Sequence, residues 1–188
     1  MYIVINGKEI ASLIRKEIAD EVDRIKKEGK KIPHLAAILV GNDPSSHTYV
    51  ANKVKDCEEV GFRSTLITYD ASTAENILLE KVAELNSDDD IDGFIVQIPL
   101  PDQISENKII ESINPLKDVD GFHPVNIGKM VTGLPGYLPA TPYGIVELIK
   151  RYKIETSGKS CVVIGRSNIV GRPVSILLSQ KGMDATVT

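Results

Sequence analysis

Apolar residues recur along this chain with two alternating periods, and the alternation outlines its elements. From Glu9 to Glu28, Ile10, Leu13, Ile14, Ile18, Val22 and Ile25 mark one face of a helix, with acids and bases opposite. Gly29 is the expected stop. His34 to Val40 reads HLAAILV, too short and too continuously apolar for an amphipathic helix, and predicts a strand buried on both faces. Gly41 to Ser46 reads as a loop, with Ser45 or Ser46 as the cap of a helix that runs to Val60 and stops at Gly61. Arg63 to Tyr69 predicts a second strand, and Thr73 to Asn86 a helix with Ile77, Leu78, Val82 and Leu85 inward. Gly93 to Ile98 predicts a third strand, ended by Pro99-Leu100-Pro101.

Strands alternating with helices at this spacing predict an α/β fold with a mainly parallel sheet and helices on both faces. Ser105 to Ile113 reads as helical. The stretch from Asn114 to Pro142, rich in Gly, Pro and Asp, holds one short helical candidate (Val125 to Val131) and reads as a domain connection. Thr141-Pro142 has the cap and first-turn chemistry of a new helix through Ile145, Leu148 and Ile149. Ser160 to Ile164 then predicts a strand, Gly165 to Gly171 a loop, Pro173 to Gln180 a helix and Ala185 to Thr188 the next strand. That is one β-α-β unit, with no internal repeat in the chain.

A length of 188 residues allows one large domain or two small ones. With 42% apolar residues, 26% charged, 14 Gly and 10 Pro, disorder, collagen and coiled coil are excluded as whole-chain readings. No apolar run is long enough to span a bilayer, and the start MYIVINGK lacks the pattern of a secretory signal. A net charge of -4 argues against sequence-independent nucleic-acid binding. Cys57 and Cys161 lie far apart, which fits a reduced, cytoplasmic setting better than a disulfide framework.

Several motif fragments fail on their own terms. Asp88, Asp90, Asp92 and Gly93 begin a calcium loop whose twelfth position is Pro99, not Glu. Gly158-Lys159-Ser160 precedes a strand and lacks the P-loop's first Gly, since Lys153 stands there. Gly165-x-Ser167 lacks the second Gly of a nucleophile elbow. His34, His47 and His123 have no ligand spacing, so no metal is expected.

Other signals are stronger. Tyr49 and Lys53 are four residues apart on the helix that follows the first strand, so they share a face. A helical lysine is by itself an ordinary solvated residue. This helix, however, starts at the carboxyl end of a parallel strand, where open α/β sheets bind ligands. Gln97 and its two prolines end a strand at the same edge, either as a rigid exit or as part of a site. Lys117-Asp-Val-Asp120-Gly-Phe-His-Pro124 places acids in a Gly/Pro loop. They are turn formers or, as carboxylates, acceptors for the two N–H donors of an amidine-like ring edge. Gly165-Arg-Ser-Asn-Ile-Val-Gly171 follows a strand and opens a helix, the setting of a pyrophosphate loop. Ser167 replaces the usual second Gly, and the last Gly comes one place late.

With Val40-Gly-Asn-Asp-Pro-Ser-Ser-His-Thr-Tyr49-Val-Ala-Asn-Lys53-Val-Lys55, Gln97-Ile-Pro-Leu-Pro101, Pro139-Ala-Thr-Pro142 and Arg172-Pro173, these segments resemble the bifunctional methylenetetrahydrofolate dehydrogenase/cyclohydrolase family over the whole chain. The resemblance implies a folate-binding α/β domain over 1–120, a connection over 121–142 and the first part of a Rossmann NAD(P)-binding domain over 143–188. It implies a homodimeric, cytoplasmic enzyme of one-carbon metabolism, with a small-molecule folate as partner and neither nucleic acid nor membrane. Its reactions are oxidation of 5,10-methylenetetrahydrofolate with NADP, in preference to NAD, and hydrolysis of the methenyl product to 10-formyltetrahydrofolate. A cyclohydrolase-only protein and a non-catalytic folate-binding module are the alternatives. Carried over by position, Tyr49 stacks on the aminobenzoyl ring, and Lys53 is the catalytic base or acid, hydrogen-bonded by Gln97. Pro99 and Leu100 contact substrate and Asp120 binds the pterin. Thr141, Gly165, Arg166, Ser167, Val170, Gly171, Arg172 and Pro173 bind the cofactor. Family members continue past the equivalent of Thr188, so the expectation is of a C-terminally shortened chain, without the strand end that separates NAD from NADP.

Overall fold

A computed structural model describes residues 2–188 as two compact units, one of residues 12–119 and one of residues 2–11 with 120–188. Residues 2–11 therefore group with the C-terminal segment and not with the rest of the stretch 1–120.

The first unit is built on three parallel strands, β1 (His34–Val40), β2 (Arg63–Tyr69) and β3 (Gly93–Val96), in the order β2-β1-β3. His34 pairs with Arg63 and Leu35 with Gly93 to set the register. Strand alternation sends Ala36, Ile38, Val40, Phe94 and Val96 to one face, where they pack with Leu78, Val82 and Leu85 of α3 (Glu75–Ser87) and Ile109 of α4 (Glu106–Ser112). Ala37, Leu39 and Ile95 take the other face, against Val50 and Val54 of α2 (Pro44–Val60). The buried run HLAAILV is thus covered on both sides, as its pattern requires. The preceding helix, α1 (Gly7–Lys27), buries Val22 and ties to α2 through Arg15, whose Nε lies 3.0 Å from Glu59.

In the second unit α5 (Pro124–Thr132), α6 (Ala140–Arg151) and α7 (Gly171–Ser179) accompany two short parallel strands, β4 (Ser160–Cys161) and β5 (Thr186–Val187). Met130, Val146, Val174, Leu177, Leu178 and Met183 form its core, with Cys161, Val163 and Val187 packed against them.

Boundaries differ from expectation where local chemistry intervenes. Asp43, and neither serine, caps α2: its carboxylate accepts the Ser46 N–H at 2.7 Å, with Pro44 opening the helix. Helix α6 starts at Ala140 behind Pro139, one residue before Thr141, which is therefore not its cap. Ladder pairing ends at Val96 in β3 and at Cys161 in β4, and α7 begins at Gly171, two residues before Pro173.

Candidate functional site

In the first unit, the loops that leave the carboxyl ends of β1, β2 and β3 converge. An added Cβ at Gly41 would sit 3.5 Å from Ala71 and 4.0 Å from Pro101, one residue from each of the three loops. The Gln103 side chain crosses this rim and donates to the carbonyls of Ala71 at 2.6 Å and Thr73 at 3.2 Å.

Over this rim stands α2. Its Val50 and Val54 point into the sheet, which places Tyr49 and Lys53 on the flanking stripe. Tyr49 is 63% exposed, an aromatic face open to a ligand, whereas Lys53 is half-buried. Gln97 leaves the end of β3 half-buried. Its Nε2 donates to the Ile98 carbonyl at 2.8 Å, and its Oε1 is buried with no hydrogen-bond partner. The expected Lys53–Gln97 hydrogen bond is therefore not formed in this structure: the Gln97 amide turns its N–H onto its own backbone, and its oxygen is left for another donor. Pro99 follows a cis peptide bond and is exposed, whereas the Leu100 side chain is buried in the core. The sequence marked Ser46 only as a cap; Asp43 takes that role, and Ser46 lies buried beside the Asp43 carboxylate.

In the second unit, Asp120 is half-buried and precedes Gly121, whose φ is 69°. A Cβ on Gly121 would lie 2.7 Å from the Leu138 carbonyl carbon and 2.9 Å from Pro139 N. Only glycine fits both the left-handed turn and that approach. The Asp120 turn is thereby held beside the segment that leads into α6, with Thr141 exposed in its first turn.

The loop from Gly165 to Val170 is exposed except for half-buried Val170, and α7 starts directly after it. Ser167 Oγ accepts the N–H groups of Val170 and Gly171, each at 3.1 Å, so this serine caps α7 and keeps its own hydrogen to donate. Gly171 packs so closely on Gly165 that a Cβ would lie 2.6 Å from the Gly165 carbonyl. Gly171 and Pro173 are buried, so they shape the loop from beneath, whereas Arg166 and Arg172 are exposed. Arg172 Nη1 donates to Asn168 Oδ1 at 2.7 Å. The first amides of α7 are already engaged, Val170 and Gly171 by Ser167 Oγ and Arg172 by the Ser167 carbonyl, so what the loop offers an anionic pyrophosphate is two guanidinium groups, a serine hydroxyl and the positive dipole end of a nine-residue helix.

Comparison with known proteins matches two family domains to the chain, the first of which begins within the segment that packs with the second unit. The tetrahydrofolate dehydrogenase/cyclohydrolase catalytic domain matches residues 5–120, and the NAD(P)-binding domain of the same enzymes matches residues 139–188. The bifunctional protein FolD of Bacteroides fragilis is 62% identical over 187 residues, which cover 98% of this chain and 64% of that protein. The crystal structure of the Campylobacter jejuni bifunctional FolD superposes with a TM-score of 0.93 at 44% identity, over 98% of this chain and 64% of that one. The Trypanosoma brucei enzyme, complexed with NADP cofactor and inhibitor, superposes with a TM-score of 0.93 at 34% identity, over 99% and 63%. The chain thus spans about 64% of the length of the relatives it matches. It belongs to the tetrahydrofolate dehydrogenase/cyclohydrolase family.

Proposed function

We propose that this chain binds a reduced folate and takes part in two reactions: NADP-dependent oxidation of 5,10-methylenetetrahydrofolate and hydrolysis of 5,10-methenyltetrahydrofolate to 10-formyltetrahydrofolate. The observation that carries the reading is Gln97 Oε1, a buried acceptor without a donor at the carboxyl end of a parallel sheet. Such an atom costs stability unless a ligand or a catalytic group supplies the missing hydrogen bond. Its setting supports a folate site, because half-buried Lys53 and exposed Tyr49 share the helix over the same sheet edge. The Campylobacter jejuni and Trypanosoma brucei enzymes, each named a methylenetetrahydrofolate dehydrogenase and cyclohydrolase, support the same chemistry.

In this mechanism Tyr49 stacks on the aminobenzoyl ring, Pro99 and the backbone of Leu100 flank the substrate, and the Asp120 carboxylate takes two N–H donors of the pterin. Water adds to the cationic methenyl carbon as the Lys53 amine takes one of its protons. Collapse of the carbinolamine forms the formyl C=O and breaks the bond from that carbon to N5. The hydroxyl proton moves to N5, and the proton on Lys53 passes to solvent. Gln97 Oε1 accepts from the Lys53 ammonium and fixes the direction of Nζ. When bound, NADP supplies the hydride acceptor for the oxidation. Arg166, Ser167 and the positive dipole end of α7 would hold its phosphates, Thr141, Val170 and Arg172 would border it, and Gly171 and Pro173 would support the loop. Residues 1–120 are the folate part, 121–142 the connection and 143–188 the cofactor part. A homodimeric enzyme acting in the cytoplasm completes the proposal; the two free cysteines suit the reducing setting and do not bear on the dimer.

The test is spectrophotometric. Loss of methenyl absorbance without NADP reports hydrolysis, and NADPH formation from the methylene substrate reports oxidation. Lys53→Met lowers hydrolysis by about 100-fold or more with the fold intact. Full hydrolysis by a folded Lys53→Met variant overturns the lysine's role. Hydrolysis alone identifies a cyclohydrolase, and folate binding with neither reaction identifies a binding module.

A further inference from the structure

Pro99 and Pro101 have no N–H, so Leu100 carries the only backbone donor of the turn that follows Gln97 and Ile98. That N–H donates to Glu106 Oε1 at 3.0 Å. Glu106 is half-buried and is the first residue of α4, where the helix dipole favours a negative charge. The helix is seated by Ile109, 1% exposed, so the carboxylate projects from a fixed base. Elsewhere the segment is held from neighbouring elements: Gln103 reaches the Ala71 and Thr73 carbonyls, and Glu75 Oε2 accepts the Ser105 N–H at 2.8 Å. Neither of those anchors touches Pro99 or Leu100. With its one donor engaged, the turn offers a ligand carbonyl oxygens alone.

We propose that Glu106 is a positioning residue for the substrate site: by accepting the Leu100 N–H it holds the Gln97–Leu100 segment in the form that binds reduced folate. The proposal deepens the folate reading and rests on it. Two consequences separate it from a general structural role. An amide oxygen can replace the carboxylate, because an acceptor is all that the bond requires. The effect also falls on folate binding and on the Leu100 amide, with no change in affinity for NADP.

Tetrahydrofolate and NADP are titrated calorimetrically into the unsubstituted chain, Glu106→Ala and Glu106→Gln, and hydrogen exchange of the Leu100 amide is followed without ligand. Glu106→Ala weakens tetrahydrofolate binding about tenfold and speeds Leu100 exchange, consistent with loss of a charge-assisted hydrogen bond. Glu106→Gln stays within about threefold for folate and keeps most of the Leu100 protection, since its acceptor is neutral but present. A folded Glu106→Ala chain with unchanged folate affinity overturns the proposal, and so does Glu106→Gln behaving as Glu106→Ala in both readouts. Absence of tetrahydrofolate binding by the unsubstituted chain overturns the folate reading instead. Unchanged Leu100 exchange in Glu106→Ala overturns the positioning role by itself.

Discussion

Replacing Gly171 with alanine is a direct test of how the candidate phosphate loop is held against α7. A Cβ at this position would lie 2.6 Å from both the carbonyl carbon and oxygen of Gly165 and 2.9 Å from the Arg166 nitrogen. All three are backbone atoms, so no rotamer change relieves the overlap, and the loop or the first turn of α7 must shift by about 1 Å. Overpacking of this kind costs about 1–3 kcal/mol, and because Gly171 is the first residue of α7 the propensity gain of a mid-helix alanine does not offset it. The net expectation is a loss of about 1–3 kcal/mol. The same shift moves Ser167, whose Oγ caps α7 through the Val170 and Gly171 amides, so NADP binding weakens together with stability. Gly144 is the control: it lies inside α6 with nothing within 4 Å of an added Cβ, and Gly144→Ala raises stability by about 0.5–1 kcal/mol. Urea unfolding followed by far-UV circular dichroism, with amide exchange across α7, reads both variants. Gly171→Ala that is as stable as the unsubstituted chain would refute the close-packing argument.

Three further outcomes are expected. Asp120→Asn weakens folate binding by about 2–5 kcal/mol and leaves NADP affinity unchanged in paired titrations, and unchanged folate affinity would return Asp120 to a turn former. Asp90 is held below the usual carboxylate value of 3.8 by hydrogen bonds from Arg63 and then His34. A depressed value stabilises the fold above the usual carboxylate range and is lost as pH falls through the folded-state value. Asp90→Asn therefore flattens the acid limb of a stability-versus-pH curve, and an unaltered limb would contradict the pairing. Burial, with Asp56 and Glu58 adjacent, pushes the Cys57 thiol up, so iodoacetamide followed by mass spectrometry labels Cys161 first in the native protein. Equal labelling of the two would contradict the burial of Cys57.

What was legible in the sequence follows from how local each signal is. The strands at 34–40 and 63–69 were readable to the residue, because a continuous apolar run and a β-rich run between turn residues leave few alternatives. Helix starts were less legible. Asp43 and Ser46 both suit a cap, and which of them turns onto the free amides depends on the angle at which the chain enters the helix. Strand β3 ends at Val96 although β1 runs on to Val40, because the chain turns away through Pro99 and Pro101, which have no N–H for the ladder. Tyr49 and Lys53 on the helix after β1, and Gln97 at the end of β3, were visible as residue types that suit a ligand site. The state of Gln97 Oε1 was not, since it depends on a side-chain rotation. Glu106 carried no signal, because an acid in the first turn of a helix is ordinary until the proline-flanked Leu100 amide is found beneath it.

The two ends of the three-stranded sheet explain where chemistry can occur. At the amino ends, polar groups are saturated: His34 Nδ1 lies 2.9 Å from Asp90 and its Nε2 2.8 Å from Thr65, while the His34 N–H donates to Asp92 at 2.8 Å. Arg63 and Lys31 close that web on Asp90 and Asp92. A ligand entering there would have to break bonds already made. At the carboxyl ends the same sheet leaves Gln97 Oε1 buried without a partner. Unsatisfied buried polar atoms are rare because each costs about 1–3 kcal/mol, so one at the end of a well-paired sheet marks the end where a partner is missing. A ligand that brings donors to that edge recovers this energy on binding, whereas at the amino end it would gain nothing. This asymmetry supports the proposed binding at the Tyr49, Lys53 and Gln97 edge before any particular substrate is considered.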